Sequence, residues 1–381
     1  MKKIFTIVTL ALCTLTLSAQ NVERTMEFEG TTRKYVEHIP STPNGSMPVL
    51  FQLHGLGDDC NNFSQLGFEA LAPNWIIITP EATVANVMGQ PMGTAWAAGV
   101  GAEGVPMIGS IELNSGVNDD GFILAILDSL ENNFDIDTDS IFVTGFSMGG
   151  FMSNKMAVKH ADRITAIASV SGTLGHFQPF EPTGKINTMH IHGTSDDMIS
   201  YANAEYSVMG ISLPVGIGAE ALVETWRNYN ECGSEPIVYN FEDTKDDGLT
   251  FEQYTYKNAE TGNKTVFIKA NGGIHTWYDG YNNDIDYTTE IYKFFTGQEN
   301  VPTDIESNIT ENFSIYPNPA TDIVNIVSQN ASELAIYNAT GKEVKRIRTN
   351  EGSTSINISD LPNGMYFIVI DGNAHKLTIE R

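Results

Sequence analysis

The chain has 381 residues, 41% of them hydrophobic and 18% charged, and a formal net charge of −26. That length suits one large domain with a smaller companion. The acidic excess argues against nucleic acid or an anionic membrane surface as partner, and leaves neutral or cationic ligands, or simple solvation, as its meaning.

Lys2 and Lys3 precede an uncharged apolar run from Ile4 to Leu17, and Leu17-Ser18-Ala19 supplies small residues before Gln20. This pattern predicts a cleaved secretory signal over residues 1–19. Cys13 does not make it a lipoprotein signal, because Leu12 stands where a small residue would be needed. The run falls short of the ~20 residues of a membrane span, and no other segment is apolar enough to cross a membrane. The mature chain would keep Cys60 and Cys232; export permits a bridge between them, and two unpaired thiols fit equally well.

Short apolar runs then alternate with amphipathic stretches, the pattern of a mostly parallel sheet flanked by helices. Strands are predicted at 48–53, 75–79, 140–144, 164–170, 186–191 and 265–270. Helices are predicted at 118–134, with caps at Asn118 and Asp119, at 148–160 and at 284–295. Residues 87–116 read as a long Gly- and Met-rich loop. Residues 297–312 are polar and aperiodic, a linker between a domain at 20–296 and another at 313–381. The last 69 residues carry 7 acidic and 6 basic side chains, so nearly all the negative charge precedes them. Their β-rich runs at 323–327, 333–337 and 365–370, with turns at 339–341 and 363–364, predict a small antiparallel sandwich.

Gly145-Phe146-Ser147-Met148-Gly149 fits G-x-S-x-G. Alone the pattern is weak, since glycine-rich surface turns also hold serines. Here a buried strand leads in and a helix leads out, so a sharp strand-to-helix turn would hold the serine hydroxyl exposed at the sheet's edge. Such a serine needs a base, and the base needs a carboxylate to orient it. His275 follows the predicted strand 265–270, and Asp196 and Asp197 follow 186–191. That is the order Ser, Asp, His. Among the other histidines, His54 suits an oxyanion loop, and His190 and His192 read as packing or loop-bracing residues. His160 ends a helix, where a cation is favoured, while His38, His176 and His375 lack a partner in sequence. The oxyanion donors expected are the backbone N–H of Met148 and that of Leu56, in His54-Gly55-Leu56-Gly57. Trp96 and Trp277 are candidates to line a substrate cleft, and roles in the core fit them as well.

The segments Leu53-His-Gly55, Val117-Asn-Asp-Asp-Gly-Phe122, Gly145–Gly150, His192-Gly-Thr-Ser-Asp196 and Gly272-Gly-Ile-His-Thr-Trp277 resemble the esterase family of polyhydroxybutyrate depolymerases and feruloyl esterases. The resemblance covers about residues 30–296 and implies an α/β-hydrolase fold. It selects Asp196 over Asp197, because the acid lies four after the histidine of H-G-T-x-D. It also implies Trp277, two after the base. Asn118 stands where the family usually has aspartate, and Tyr278 where it commonly has proline. The tail, through Ser314-Ile-Tyr-Pro-Asn-Pro-Ala320, Ile336–Gly341, Leu361–Tyr366 and Lys376–Arg381, resembles the C-terminal sorting domain of type IX secretion cargo. That implies export to the medium or cell surface and the secretion machinery as a partner. A carbohydrate-binding sandwich is the alternative, although the tail has no Trp.

Asp135-Ile-Asp137-Thr-Asp139 begins like a calcium loop, but Ser140 stands where the sharp turn needs glycine, so no metal or other cofactor is expected. The sequence therefore predicts a secreted serine esterase with Ser147, Asp196 and His275 as its triad and a neutral ester or polyester as substrate. A serine peptidase of the same fold and a non-catalytic surface binding protein are the alternatives.

Overall fold

A computed structural model describes residues 21–105, 109–208, 211–301, 313–328, 333–338, 342–349, 352–370 and 373–381. The expected signal peptide, most of the expected linker and the turn at 339–341 lie outside the described residues. The chain divides into two compact units, Met1–Pro302 and Thr303–Arg381.

The first unit is built on one ten-stranded sheet. In chain order its elements begin with the strands β1 (Asn21–Phe28), β2 (Thr31–His38) and β3 (Met47–Leu53), then the short helices α1 (Cys60–Phe63) and α2 (Phe68–Leu71), then β4 (Ile76–Pro80). Two hairpins follow, β5 (Thr83–Val87) with β6 (Gln90–Ala95) and β7 (Gly101–Val105) with β8 (Gly109–Glu112), leading to α3 (Asp119–Asn133). Next come β9 (Ile136–Phe146), α4 (Met148–Lys159), β10 (Ala166–Val170), β11 (Asn187–Gly193), a hairpin of β12 (Glu205–Val208) and β13 (Ile211–Pro214), and α5 (Ala219–Tyr229). The unit closes with β14 (Ile237–Asn240), β15 (Thr250–Lys257), β16 (Lys264–Asn271) and α6 (Tyr287–Phe295).

The sheet order is β1-β2-β4-β3-β9-β10-β11-β16-β15-β14. The six central strands, β4 to β16, pair in parallel, and the two strands at either edge are antiparallel. Both faces are covered, which is why the central strands read as nearly continuous apolar runs. Val49, Phe51 and Leu53 of β3 point into the core shared with α3 and α4, and Leu50 points to the opposite face with α6. Ile76, Ile77 and Ile78 of β4 and Ile141, Phe142 and Val143 of β9 alternate in the same way. Each such buried side chain contributes about 1.5–3 kcal/mol by its removal from water.

The predicted central strands and helices are all present, with bounds shifted by a few residues. Asn118 caps α3 as expected, its side chain accepting the Gly121 N–H. The expected loop 87–116 is different: most of it is two hairpins. Its first turn is Met88-Gly89, with φ of 52° and 79°, directly between the paired Val87 and Gln90. A two-residue turn with both φ values positive matches the natural twist of a hairpin, and a methionine in its first position hides that signal. The N-terminal hairpin β1–β2 turns in the same way at Glu29-Gly30.

The second unit holds two antiparallel sheets. One is β17 (Phe313–Tyr316), β18 (Ile323–Ser328) and β21 (Gly352–Asn357); the other is β20 (Glu343–Arg348), β19 (Glu333–Asn338), β22 (Gly364–Ile370) and β23 (Asn373–Ile379). Val324, Ile326 and Ile356 from the first meet Leu334, Ile336, Ile368, Ile370 and Leu377 from the second in one core. Alternate residues face it, the period-two pattern of a sandwich.

Candidate active site

The chain order reverses direction between β3 and β9. From β3 the chain moves outward to β4, and from β9 it moves the other way through β10, β11 and β16. The chain therefore leaves β3 and β9 in opposite directions along the sheet, and it is outside the carboxyl ends of the strands at such a point that ligands bind in open α/β sheets. The two segments that meet there are His54–Gly57 after β3 and Ser147 after β9: a Cβ on Gly55 would lie 3.6 Å from Cβ of Ser147.

Ser147 occupies φ 52°, ψ −116°, a strained conformation for a residue with a side chain. It is held because its N–H donates to the Val170 carbonyl at 2.8 Å while its own carbonyl accepts the Phe151 N–H. The flanking glycines have no freedom to be anything else. A Cβ on Gly145 would come 2.3 Å from the Gly149 carbonyl oxygen, and one on Gly149 would come 1.8 Å from that of Leu53. The turn thus packs directly against the end of β3, with Ser147 partly exposed above it.

Asp196 and His275 follow β11 and β16, which are adjacent and parallel. Their loops are stitched together: Ser195 N–H donates to the Gly273 carbonyl, Thr194 N–H to that of Ala270, and Gly272 N–H to the Thr194 hydroxyl. Gly193 is required here, since a Cβ on it would lie 2.2 Å from the Gly273 oxygen. His275 Nδ1 consequently donates to Asp196, at 2.8 Å to Oδ2 and 3.0 Å to Oδ1. Asp196 Oδ1 also accepts the N–H groups of Met198 and Ile199. Burial pushes this carboxyl up, but hydrogen bonds from His192 and His275 outweigh it and hold it well below the usual carboxylate range. Asp197, next in the chain, is exposed.

With Nδ1 committed to Asp196, Nε2 is the free ring nitrogen of His275. The ring lies 4.8 Å from that of Phe146, the residue before Ser147. The hydroxyl of Ser147 is not hydrogen-bonded to it in this state; such contacts commonly tighten when substrate binds.

Leu56 and Met148 frame the serine, and neither backbone N–H has an acceptor among the described residues. The Leu56 loop is held from behind. His54 is fully buried; its Nε2 accepts the Ala82 N–H, so Nδ1 carries the proton and donates to the Gly55 carbonyl at 2.7 Å. Burial pushes this imidazole down, keeping it neutral.

Trp96 does not line a cleft. Its side chain is fully buried, and Nε1 donates to the His54 carbonyl at 2.9 Å, so it braces the loop from beneath. Segment 96–97 is fixed in turn by Asp119, which accepts the Ala97 N–H at 2.7 Å and pairs with buried Arg33 at 2.8 Å. The Val117–Phe122 motif thus works at a distance, behind the His54–Gly57 loop, a role its sequence does not disclose. Trp277 is half-buried. Its Nε1 donates to the Thr288 hydroxyl of α6, and its ring meets Phe63, Phe146 and Tyr287 edge-on. Tyr278 also braces the His275 loop, its hydroxyl accepting the Ile274 N–H at 3.0 Å. Cys60 and Cys232 are both free thiols, and the described residues contain no cluster of metal-binding side chains.

Residues 36–210 match the family described as phospholipase/carboxylesterase, and residues 314–380 match the secretion system C-terminal sorting domain. The chain carries a carboxylesterase domain of the α/β-hydrolase class. The esterase is similar to NocK of Nocardia uniformis subsp. tsuyamanensis, 27% identical over 275 residues, which are 69% of this chain and 75% of that one. It is also similar to the bifunctional acetylxylan esterase/xylanase of Neocallimastix patriciarum, 27% identical over 65% of this chain, and to feruloyl esterase B of Piromyces equi, 26% identical over 65%. These matches span 31% and 43% of the two relatives, less than half of each. The esterase unit contains no helix long and apolar enough to cross a membrane among its described residues.

Proposed function

We propose that this esterase hydrolyses neutral carboxylic esters through a Ser147–His275–Asp196 triad and an acyl-enzyme. Ser147 Oγ attacks the ester carbonyl while His275 Nε2 takes its proton. The Met148 and Leu56 N–H groups receive the charge that develops on the carbonyl oxygen. His275 then returns the proton to the leaving alcohol, and water releases the acid by the same steps in reverse. Asp196 fixes the imidazole tautomer and faces the positive charge that forms on it. The observation that carries this reading is the Asp196–His275 pair at the ends of adjacent parallel strands, beside a strained serine at the sheet's switch point.

The loops that carry these residues expose large apolar side chains: Leu56, Met198 and Ile274 are 40%, 42% and 54% exposed. Thr94 of β6 accepts the Gly57 N–H, which brings the β5–β6 hairpin, with exposed Met88 and Met92, against the oxyanion loop. An apolar rim favours esters with an apolar or aromatic acyl group. Hydroxycinnamoyl and acetyl esters on plant polysaccharide fit the names of the relatives, and apolar polyesters fit the rim. Export through a signal at residues 1–19 and sorting by the tail would bring the enzyme to polymers outside the cell.

The test is a panel of p-nitrophenyl esters of rising chain length, methyl ferulate, acetylated xylan, polyhydroxybutyrate and amorphous aromatic polyester, with wild-type and Ser147→Ala protein. Turnover of at least one ester, abolished in the variant, is expected. Absence of turnover on every ester, or equal activity of the variant, would overturn the reading.

A further inference from the structure

Behind Asp196 lies a line of three buried polar side chains that the mechanism above does not use. Ser169 of β10 and His190 and His192 of β11 are 0%, 3% and 1% exposed. Ser169 Oγ lies 2.9 Å from His190 Nδ1, and His190 Nε2 lies 3.1 Å from His192 Nδ1. His192 Nε2 lies 2.9 Å from the Ile199 carbonyl oxygen and 3.3 Å from Asp196 Oδ2.

The far end of this line fixes every proton in it. A carbonyl and a carboxylate can only accept, so His192 Nε2 carries a hydrogen, shared between them. In a neutral ring Nδ1 is then an acceptor and takes the hydrogen of His190 Nε2. His190 Nδ1 in turn accepts from the Ser169 hydroxyl. Burial pushes the His190 ring well below its ordinary value, consistent with a neutral imidazole. Each donor in the series therefore points towards Asp196, and the aligned dipoles present their positive end to the carboxylate. The remaining surroundings add no competing charge: Tyr201 meets His192 edge-on at 5.7 Å and Phe267 stacks on His190 at 6.0 Å. Beyond that ring, Lys269 sits over Tyr201 at 5.6 Å and lies 3.6 Å from Glu220, which accepts the Tyr201 hydroxyl at 2.8 Å, so the two charges there offset each other. The ionisable groups facing the pair are Tyr201, Asp196 and, through Asp196, His275.

Apolar residues would fill the same space on β10 and β11 without two buried imidazoles to satisfy. What they could not do is hold the outer lone pair of Asp196 Oδ2. We infer that His192, supported by His190 and Ser169, is a positioning residue of the esterase: the Ser169–His190–His192 relay holds the Asp196 carboxylate in the orientation and charge state that set the His275 tautomer. The inference rests on the reading of Asp196 as the acid of the triad.

Its test separates the two. Ser147→Ala and Asp196→Asn decide the triad reading first, by loss of turnover. The relay is then tested with His192→Phe and His192→Gln, with activity expressed per active site titrated by a serine-reactive phosphonate. His192→Phe removes the donor and leaves the Asp196 charge more concentrated on His275. It should lower kcat by about ten- to a hundred-fold, short of the ~10⁴ of a wrong tautomer, with KM little changed. It should also move the acid limb of the kcat/KM profile upward, because the imidazolium is better stabilised. His192→Gln, whose amide can donate from the same place, should restore both to within about threefold of wild type. A folded His192→Phe enzyme with wild-type kcat and an unmoved acid limb would overturn the relay, as would a fall in kcat without a shift of the limb. Nitrogen-15 NMR of histidine-labelled wild-type enzyme reads the same relay without relying on a variant. Both rings should be Nε2–H tautomers, and an Nδ1–H tautomer at His192 would overturn it.

Discussion

The turn at Ser147 and the hairpin β5–β6 both lie against the His54–Gly57 loop and are built in opposite ways. At the turn, one extra carbon on Gly145 or Gly149 would overlap a carbonyl oxygen. At the hairpin tip, Met88 is 75% exposed and Gly89 would meet nothing if it carried a Cβ. The first arrangement stores strain that only a tightly packed surround can maintain. The second exposes apolar surface that nothing in the described residues covers, and it can change its side chains without disturbing the sheet. On the proposed mechanism, reaction chemistry belongs to the first kind of region and choice of substrate to the second, because the former needs fixed geometry and the latter needs contact area.

Substitutions at the two regions should separate accordingly. Ser147→Ala should lower kcat by about 10⁶ on any ester, read from initial rates on a soluble substrate. Asp196→Asn should cost roughly 10⁴, while Asp197→Asn leaves kcat nearly unchanged; the reverse ranking would move the acid by one residue. Gly149→Ala should destabilise the esterase unit by ~3 kcal/mol or leave it insoluble. Gly89→Ala, where φ is positive but space is open, should cost only ~1 kcal/mol in urea unfolding. The smallest effect belongs to the hairpin: Met88→Ser and Met92→Ser should leave kcat/KM on an acetyl ester within about twofold, and reduce it on long-chain or aromatic esters by roughly tenfold. Equal losses on all esters would break the comparison.

Acid should act on the buried framework before the rim. Burial pushes the Asp120 carboxyl up, but hydrogen bonds and charge from His160, Lys155 and Lys159 outweigh it and hold the group well below its ordinary range, as is also true of Asp196. A carboxyl depressed by folding stabilises the native state above its unfolded value, and that stability is lost as pH falls towards the folded value. Urea unfolding should therefore show stability falling steadily below about pH 4, the ordinary carboxyl value. Asp120→Asn should be less stable at pH 7 and show a shallower fall in acid.

The predicted strands and helices of the central sheet were legible because apolar runs and helical spacing are local properties of the chain. Asn118 at the cap of α3 and the glycines around Ser147 were legible for the same reason: one residue and its neighbours decide them. The N-terminal hairpin, β14, β15 and α5 were not anticipated. β14 and β15 sit at the sheet's edge, where alternation with polar residues weakens the apolar signal. The hairpins after β4 were hidden by small and flexible residues that read as loop.

Side chains whose meaning depends on distant residues were a different matter. Trp96 looked as suited to a cleft as to a core; its burial under His54 follows from Asp119 and Lys155 holding Ala97, contacts made across 22 and 58 positions of sequence. His190 and His192 read as packing or loop-bracing residues, since nothing local tells that Ser169 lies behind them and Asp196 in front. The sequence by itself determined which segments are strands, where the serine turn falls and which glycines it needs, because these are fixed by spacing and steric size. Only the tertiary structure decided which loops meet, which polar groups lose their water and which therefore must find each other, because burial and hydrogen-bond pairing are properties of the assembled sheet rather than of any stretch of chain.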